Sequence, residues 1–149
     1  MKGANVKVSA KTEYACIAIL ELANHFGSGE PVRIRQIAEQ HGIPSRFLVQ
    51  ILLQLKGAGF VNSVRGAAGG YQLLKSPKEI SLGQVMDVID GSQEESKTTT
   101  NASFNSPMVK VLVEAWNQVA AVHRKMLSKI TLADLLEQAE AQDEQMYHI

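Results

Sequence analysis

The sequence predicts a mainly α-helical chain that carries one small β-hairpin. Two short helical patterns meet at Gly42, and two β-type runs follow the second pattern, separated by the glycine-rich turn RGAAGG. Farther along, apolar residues recur at spacings of three and four through one long segment that begins at Pro107. Two helices joined by a glycine turn and followed by a hairpin are typical of a winged helix-turn-helix domain. The predicted fold is therefore that domain plus a long dimerisation helix.

Length and composition favour one globular domain. A chain of 149 residues can bury about 70% of its unfolded surface in one core. Its hydrophobic share of 45% and charged share of 20% are ordinary for globular proteins. No run of about 18 apolar residues occurs, so no membrane span is predicted. The N-terminal MKGANVKVSAK lacks the apolar stretch of a signal peptide, and a cytoplasmic location is expected.

Cysteine and histidine usage predicts no metal site. Cys16 is the only cysteine, which excludes an intramolecular disulfide and an all-cysteine metal site within one chain. It lies in the apolar run YACIAIL, where a buried, inert thiol is favoured over a redox switch. The four histidines, His25, His41, His123 and His148, have no ligand spacing between them.

Charge is distributed unevenly along the chain although the net charge is zero. Residues 1–78 hold ten Lys and Arg against four Glu, a balance of +6. Residues 79–149 hold five basic against eleven acidic residues, a balance of −6. A basic half that contains the helix-turn-helix is what a phosphate-facing module needs, and a chance split of surface charge is the alternative.

The first helix is predicted from Ala10 to Phe26, with Ser9 as its N-cap. Residues 14–20 are all apolar, so the helix should be buried on more than one face. We expect it to pack against both the helix-turn-helix and a dimerisation element.

The second helix of the motif begins near Pro44 and ends at Gly57. Its apolar residues recur at helical spacing and form one core-facing side: Phe47, Leu48, Ile51, Leu52 and Leu55. The polar residues fall largely off that side, which makes this the predicted recognition helix.

Three side chains of this helix have the chemistry for reading bases. Arg46 matches the guanine edge bidentately, and Gln50 matches adenine. Val49 could contact a thymine methyl group, or it could belong to the packing face instead.

Arginines outside the recognition helix are further candidates. Arg33 and Arg35 flank the start of the preceding helix, where phosphate contact and simple solvated charge are equally favoured. Arg65 is the stronger candidate, because an arginine at a hairpin tip can enter a narrow minor groove. The complete set predicted to contact DNA is Arg33, Arg35, Ser45, Arg46, Val49, Gln50, Gln54, Lys56, Arg65, Gly66 and Tyr71.

Beyond the wing, Ser81 and Gln84 form the S-x-x-Q capping box of a helix that ends at Gly91. Residues 92–106 are polar and predict a flexible linker. The organisation predicted is a winged helix-turn-helix DNA-binding domain over residues 1–91, a linker over 92–106, and a dimerisation helix with a short C-terminal helix over 107–149. The final helix should begin after Thr131 and cover LADLLEQAEA.

The longest helix should run from Pro107 to about Ser128, with Ser106 as cap. Packing along a second subunit is favoured over burial within the same chain, because this helix follows a linker. His123 on this side is more often a hydrogen-bonded residue than a pH switch. The predicted dimer seam consists of Val109, Leu112, Trp116, Val119, His123, Met126 and Ile130.

These pieces, in this order, resemble the Rrf2 family of bacterial winged-helix transcription regulators, from about Val8 to Leu136. The family includes the iron-sulfur cluster regulator, the nitric-oxide-sensing repressor and the cysteine-metabolism repressor. One departure lies in the wing, where Ala67 and Ala68 replace a proline and a glycine of the usual Gly-Pro-Gly-Gly-Gly. The segments that carry the resemblance are KTEYACIAILELA, IRQIAEQHGIPSRFLVQILLQLKGAGFV, SVRGAAGGYQL, ISLGQVMDVIDG and the Trp116 helix leading into KITLADLL.

The resemblance implies a homodimer, held by the long helix, that binds a palindromic double-stranded operator. Many members bind an iron-sulfur cluster through three cysteines, and the matching positions here are Thr98, Phe104 and Lys110. A further histidine ligand of one member matches Val113, and a carboxylate ligand of some members matches Glu13. We therefore expect no cofactor, and an activity set by a small molecule, a partner protein or abundance.

Two other classes of function compete with regulation by DNA binding. An enzyme is disfavoured because no P-loop, G-x-G-x-x-G, G-x-S-x-G or H-E-x-x-H motif occurs. A winged helix used only for protein assembly or small-molecule sensing, with little DNA specificity, stays open. The basic residues of the motif and wing weigh against that alternative.

Overall fold

The computed structural model describes residues 8–91 and 105–147. Over these residues it confirms a mainly α-helical fold with one antiparallel hairpin. No helix among them has both the length and the apolar character needed to cross a bilayer. In chain order the elements are α1 (Ala10–Asn24), α2 (Ile34–His41), α3 (Ser45–Gly57), β1 (Val61–Val64), β2 (Gly70–Leu73), a short 3-10 turn (Pro77–Glu79), α4 (Leu82–Asp90), α5 (Pro107–Lys129) and α6 (Leu132–Tyr147).

Helix α1 is the central element of the fold. The Ser9 hydroxyl oxygen accepts a hydrogen bond from the Thr12 backbone N–H at 3.1 Å, which confirms the predicted cap. The helix contacts α2, α3, α4, α6 and β2, so it is buried on several sides as its apolar run predicts. It ends two residues before the predicted Phe26, which is 45% exposed and has no core position to fill.

The core is built where α1 and α3 pack against each other. Four side chains of α3 on its predicted inner side are fully buried, which leaves the opposite side of the helix to solvent. Ile37 of α2 is equally buried, so both helices of the motif are anchored in the same core. The inner residues of α3 are Leu48, Ile51, Leu52 and Leu55.

The turn between α2 and α3 requires a left-handed backbone. Gly42 has φ 67 and ψ 33, values that glycine adopts without the penalty of a side chain. The first helix of the motif therefore ends at His41, and α3 begins four residues later, at Ser45.

The wing is fastened to the segment that precedes α2. Val32 and Tyr71 exchange both backbone hydrogen bonds at 2.8 Å, so this segment pairs with β2 beside the hairpin. Gly70 is needed at the crossing, because a Cβ there would lie 2.4 Å from the Val32 carbonyl oxygen. The hairpin register runs from Val61 opposite Leu73 to Val64 opposite Gly70.

The capping box of α4 forms as predicted. The Ser81 N–H donates to Gln84 Oε1 at 2.8 Å, and the Gln84 N–H donates to the Ser81 hydroxyl at 3.2 Å. A short backbone bridge joins Ser81 to Thr131, just before α6. There the Leu132 N–H donates to the Ile80 carbonyl at 2.9 Å, and the Leu132 side chain is fully buried.

Helix α6 is longer than the sequence predicts. The Thr131 hydroxyl accepts from the Asp134 N–H at 3.1 Å, and Asp134 accepts in return from the Thr131 N–H at 3.0 Å. The hydrogen bond from the Thr131 backbone N–H to the Asp134 carboxylate, followed by that from the Thr131 side chain, lowers the pKa of this carboxyl group. The helix then continues to Tyr147, because the tail is rich in Glu, Gln and Ala and lacks a breaker.

The predicted division into residues 1–91, 92–106 and 107–149 stays a prediction. Residues 92–104 of the predicted linker lie outside the described part of the chain. In the part that is described, α6 packs on α1 and on the 3-10 turn, and α5 packs on α4.

Candidate nucleic-acid interface

The solvent-facing side of α3 carries the side chains predicted to read bases. Ser45, Arg46 and Gln50 are exposed, and Val49 is 44% exposed. Val49 therefore faces solvent and does not belong to the packing side. Leu53, which the sequence analysis did not single out, lies on the same helix and is 55% exposed.

Arg46 is held at the start of α3 by an aromatic neighbour. Its guanidinium carbon lies 5.2 Å from the centre of the Phe47 ring, within the range of a cation–π contact. Phe47 packs in turn on Tyr14 of α1, with ring centres 5.6 Å apart. This stacking restricts the arginine while its hydrogen-bond donors stay available.

Two predicted residues at the far end of α3 have contacts inside the domain. Gln54 is half-buried, and its Oε1 atom is buried without a hydrogen-bond partner. Lys56 is exposed, and its Nζ donates to the Ser63 hydroxyl of β1 at 2.9 Å. The Lys56 contact ties the end of α3 to the hairpin.

The two arginines around the start of α2 differ in what they contact. Arg33 is the N-cap residue of α2, and its guanidinium donates to the Ala67 carbonyl in the wing tip. Arg35 Nε donates to Glu39 Oε1 at 2.9 Å, and both side chains are largely exposed. An exposed pair of this kind exchanges readily with solvent or phosphate.

The wing presents Arg65 at its tip. Arg65 is exposed, and no ion pair or hydrogen bond engages its side chain within residues 8–91 and 105–147. Gly66 follows with φ 108, a left-handed value that turns the chain at this point. Tyr71 is half-buried and holds the base of the wing through its backbone bonds to Val32.

The predicted dimer seam lies mostly at the surface. None of the residues of α5 is buried. Among the described elements, α4 is the one with which α5 makes extensive contact. Val109 and Ile130 are half-buried, His123 is exposed, and the other four members are between 48% and 67% exposed. Three further large apolar residues beside the seam are more exposed still: Met108 at 85%, Val111 at 66% and Val122 at 69%.

A buried acidic group at the C-terminal end of α1 was missed by the sequence analysis. Glu21 is 6% exposed, and its two oxygens lie 2.8 Å from Nε2 of His25 and Nε2 of His41. The sequence carries one signal for this group, because a glutamate in an apolar helical run lies four residues before a histidine, the spacing at which two helical side chains can pair. The carboxylate connects α1 to the last residue of α2.

A second connection joins the N-terminal end of α1 to α4. The fully buried Thr12 donates its hydroxyl to the Asp90 carboxylate, whose oxygens both lie at 2.7 Å. Cys16 lies nearby and is half-buried. Burial, followed by the negative charges of Asp90 and Glu13, raises the pKa of the Cys16 thiol to about 11.

The arrangement defines a class of protein. A helix-turn-helix whose second helix exposes a polar side, followed by a hairpin with an arginine at its tip, is the architecture of winged helix-turn-helix DNA-binding proteins.

Comparison with known proteins agrees with that class. A model of the Rrf2 family, described as iron-dependent transcriptional regulators, matches residues 8–138. The HTH-type transcriptional regulator slr0846 of Synechocystis sp. is 37% identical over 131 residues, 87% of each chain. The solved structure of T. potens IscR is 37% identical with a TM-score of 0.75, over 93% of this chain and 92% of that one. CymR, the global cysteine regulator of B. subtilis, has a TM-score of 0.75 at 29% identity, over 90% of this chain and 98% of that one.

The chain belongs to the Rrf2 family. It is a DNA-binding transcriptional regulator and is not an enzyme.

The residues of this chain do not fit the iron-sulfur cluster that the family implies. Lys110 and Val113, two of the matching ligand positions, lie in α5 and offer no thiolate or imidazole. Thr98 and Phe104 lie outside the described residues, and neither side chain is a cluster ligand. Cys16, the only cysteine, has a pKa that disfavours the thiolate form that iron requires.

Proposed function

We propose that this regulator acts as a cytoplasmic homodimer on a palindromic operator, with α3 in the major groove and the wing over the adjacent minor groove. The observation that carries the proposal is the exposed row of Ser45, Arg46, Val49 and Gln50 on α3, together with Arg65 at the wing tip, which has no side-chain partner among the described residues. Arg46 and Gln50 have the donor and acceptor patterns of guanine and adenine edges. Phosphate contacts come from Arg35 and Lys56, which are exposed at the two ends of the motif.

The roles of the other predicted residues follow from their contacts. Arg33 positions the wing tip through the Ala67 carbonyl. Tyr71 and Gly66 shape the wing, at its base and at its tip. Gln54 is half-buried with its Oε1 atom inside the domain, so any DNA contact uses the Nε2 amino group of the side chain.

The dimer is proposed to form through α5. An exposed apolar surface is costly in water, and this helix exposes Leu112, Trp116, Val119 and Met126 together. A second copy of the helix would cover them with a matching surface, as two-fold symmetry requires.

Regulation is proposed to proceed without an iron-sulfur cluster. The single half-buried Cys16 leaves no ligand set for iron, so a small molecule, a partner protein or abundance sets the activity.

A salt-titrated selection of genomic fragments tests the proposal. Full-length protein is incubated with fragmented DNA, bound fragments are sequenced, and affinity for the enriched site is measured by fluorescence anisotropy. We expect one palindromic sequence to be enriched, and its affinity to fall about 10³-fold or more between about 50 and 200 mM salt. Fragments retained without sequence preference would contradict the proposed operator specificity.

A further inference from the structure

A cleft between α4 and α5 is not used by the DNA-binding surface. Its volume is about 350 Å³, and its lining comes from the two helices and from Ser81 just before α4. Such a volume equals that of about a dozen water molecules in the liquid, so an organic molecule of about ten non-hydrogen atoms fits.

The two walls of the cleft carry opposite charges. Asp87 and Asp90 lie three residues apart on α4, a spacing that puts both carboxylates on one side of the helix, and Arg124 lies on α5. Arg124 is half-buried, yet no carboxylate in the described ranges 8–91 and 105–147 forms an ion pair with it. A half-buried guanidinium has lost part of its hydration, so an anionic group brought to it gains more than at an open surface.

The carboxylates of the opposite wall have different surroundings. Asp90 is held by the Thr12 hydroxyl, whereas Asp87 is exposed and has no ion-pair partner in the described part of the chain. Asp87 is therefore the group available to a ligand cation, and Asp90 adds negative potential next to it.

The rest of the cleft is largely apolar. Met86 and Leu127 face it, and Gly83 lines it without a side chain. A Cβ at Gly83 would lie 3.4 Å from the backbone of α5, in van der Waals contact, so α4 and α5 approach closely here and a larger side chain would push them apart. The cleft can thus hold a short apolar group between its charged walls.

We propose that this cleft binds a small zwitterion of the amino-acid class, with its ammonium group at Asp87, its carboxylate at Arg124 and a short apolar side chain against Met86 and Leu127. The amino and carboxylate groups of one such molecule match the two charges across the cleft. A purely anionic or purely cationic ligand would form an ion pair with one wall only.

The position of the cleft makes it an effector site, a step that rests on the proposed function. At about 100° per residue, Arg124 and Met126 lie roughly 160° apart around α5, so Arg124 is on a different side of this helix from Met126 of the dimer seam. His123 of the seam also lines the cleft, so the cleft adjoins the proposed interface. Asp90 connects α4 to α1 through Thr12. A ligand that bridges α4 and α5 therefore changes the angle between the dimer helix and the DNA-binding elements, and with it the separation of the two recognition helices.

Isothermal titration of the full chain without DNA tests the binding site. The probes are the free L-amino acids alanine, valine, leucine, isoleucine, methionine and phenylalanine, each titrated alone to millimolar concentration. We expect at least one to bind, and its amine and carboxylic-acid analogues, each lacking one charged group, to bind at least tenfold more weakly. No heat of binding from any of the six would overturn the proposal.

Matched variants test whether the amino acid binds in this cleft. Arg124→Gln and Asp87→Asn should each weaken binding of the amino acid tenfold or more, and Gly83→Val should weaken it by pushing α5 away from α4 and separating the two walls. Lys125→Gln, on the next residue of α5 and exposed, is the control and should bind as the parent does. Thermal unfolding within a few degrees of the parent confirms folding of each variant. Unchanged affinity in both charge variants would overturn the assignment of the cleft.

Operator binding with and without the amino acid separates this inference from the proposed function. A shift of at least fivefold in DNA affinity, lost in Arg124→Gln, supports the effector site. Sequence-specific DNA binding that the amino acid leaves unchanged overturns the effector site and leaves the proposed function intact. Amino-acid binding by a chain with no operator supports the binding site and overturns the proposed operator specificity instead.

Discussion

Arg33 and Arg65 are two arginines of one wing with different partners. The Arg33 guanidinium donates to the Ala67 carbonyl, whereas the Arg65 side chain has no partner within the described residues. A side chain that contributes nothing to the fold is free to bind DNA. The wing thus has one arginine that positions it and one that we propose enters the DNA groove.

Replacing Arg65 should weaken DNA binding without affecting the fold. We expect Arg65→Ala to lose about 1–3 kcal/mol of binding free energy, since a groove contact by arginine is of that size. The melting temperature should stay within about a degree because the side chain is exposed. Fluorescence anisotropy on the enriched operator measures the loss, with Lys125→Ala, exposed on α5 outside the proposed DNA interface, as the control for a general reduction of positive charge. Equal affinities of Arg65→Ala and the parent would exclude Arg65 from the interface.

Replacing Arg46 or Gln50 should change which bases are preferred. A base-edge contact discriminates between sequences, whereas a phosphate contact weakens all of them equally. When the fragment selection is repeated with Arg46→Ala and with Gln50→Ala, each variant should therefore lose the base preference at one position of the operator. Lys56→Ala, at the end of α3, should preserve the preferred sequence and lower the affinity for every fragment.

Cys16 should react slowly in the folded protein. Its pKa of about 11 against an ordinary 9.0 lowers the thiolate fraction about 100-fold at pH 8. Iodoacetamide labelling followed by mass spectrometry should be slower than in urea by at least that factor. The raised pKa also favours the folded state below pH 9, and this contribution is lost as the pH rises from 9 to 11. Equal labelling rates in native and unfolded protein would contradict the half-buried position.

At the scale of elements, the wing depends on one close backbone crossing. A Cβ at Gly70 would clash with the Val32 carbonyl at 2.4 Å, and its φ of 156 is unfavourable for other residues. We expect Gly70→Ala to cost about 1–3 kcal/mol of unfolding free energy. The control is Gly57→Ala, where nothing lies within 4 Å of the added Cβ and φ is not in the left-handed range.

Urea unfolding measures both glycine variants. Gly57→Ala at the end of α3 should change stability by less than about 1 kcal/mol, because alanine suits a helix better than glycine. If Gly70→Ala were as stable as Gly57→Ala, the contact between the wing and the α2 segment would not exist in solution.

The sequence predicted most elements because their signals are local. Ser9, the Ser81–Gln84 box and the glycine at position 42 each specify a cap or a turn through a few neighbouring residues. The inner side of α3 followed from its 3.6-residue period. These features need no knowledge of the rest of the chain.

Contacts between distant segments could not be predicted in this way. The Val32–Tyr71 bridge and the Thr12–Asp90 hydrogen bond join residues far apart in sequence, and no periodicity encodes such pairs. The α4–α5 cleft could not be predicted from the sequence for the same reason, because its walls come from two separate helices. Gln54 falls off the apolar stripe and is predicted to contact DNA, and its half-buried position in the structure could not be read from that pattern.

At the scale of the molecule, α5 should hold two copies together. Val119 is 67% exposed, and its replacement by aspartate would place a charge in the proposed interface without disturbing the chain's own core. We expect Val119→Asp to be monomeric by light scattering at micromolar concentration, with an unchanged circular dichroism spectrum. The control, Lys125→Asp, adds the same side chain to an exposed position of the same helix outside the seam. A Val119→Asp dimer of parental mass would place the interface elsewhere.

A dimer of this kind also predicts the shape of the operator. Two-fold symmetry brings the two α3 helices to successive major grooves, about 34 Å apart, so the half-sites should repeat as an inverted pair. The monomeric Val119→Asp protein should lose most of its affinity for the full operator. Its affinity for a single half-site should equal that of the parent.

The burial of Leu132 against Ile80 has a consequence for how the protein is made. Leu132 fills a fully buried position in the core formed by α1, α3 and α4, yet it follows both α4 and α5 in the sequence. On the ribosome, the helix-turn-helix and wing are complete long before this residue is synthesised, and until then their core has an open apolar gap. The DNA-binding surface can therefore reach its final stability only after residue 132 has been synthesised. A nascent chain that stops after the wing is expected to be bound by chaperones or degraded before it can occupy an operator.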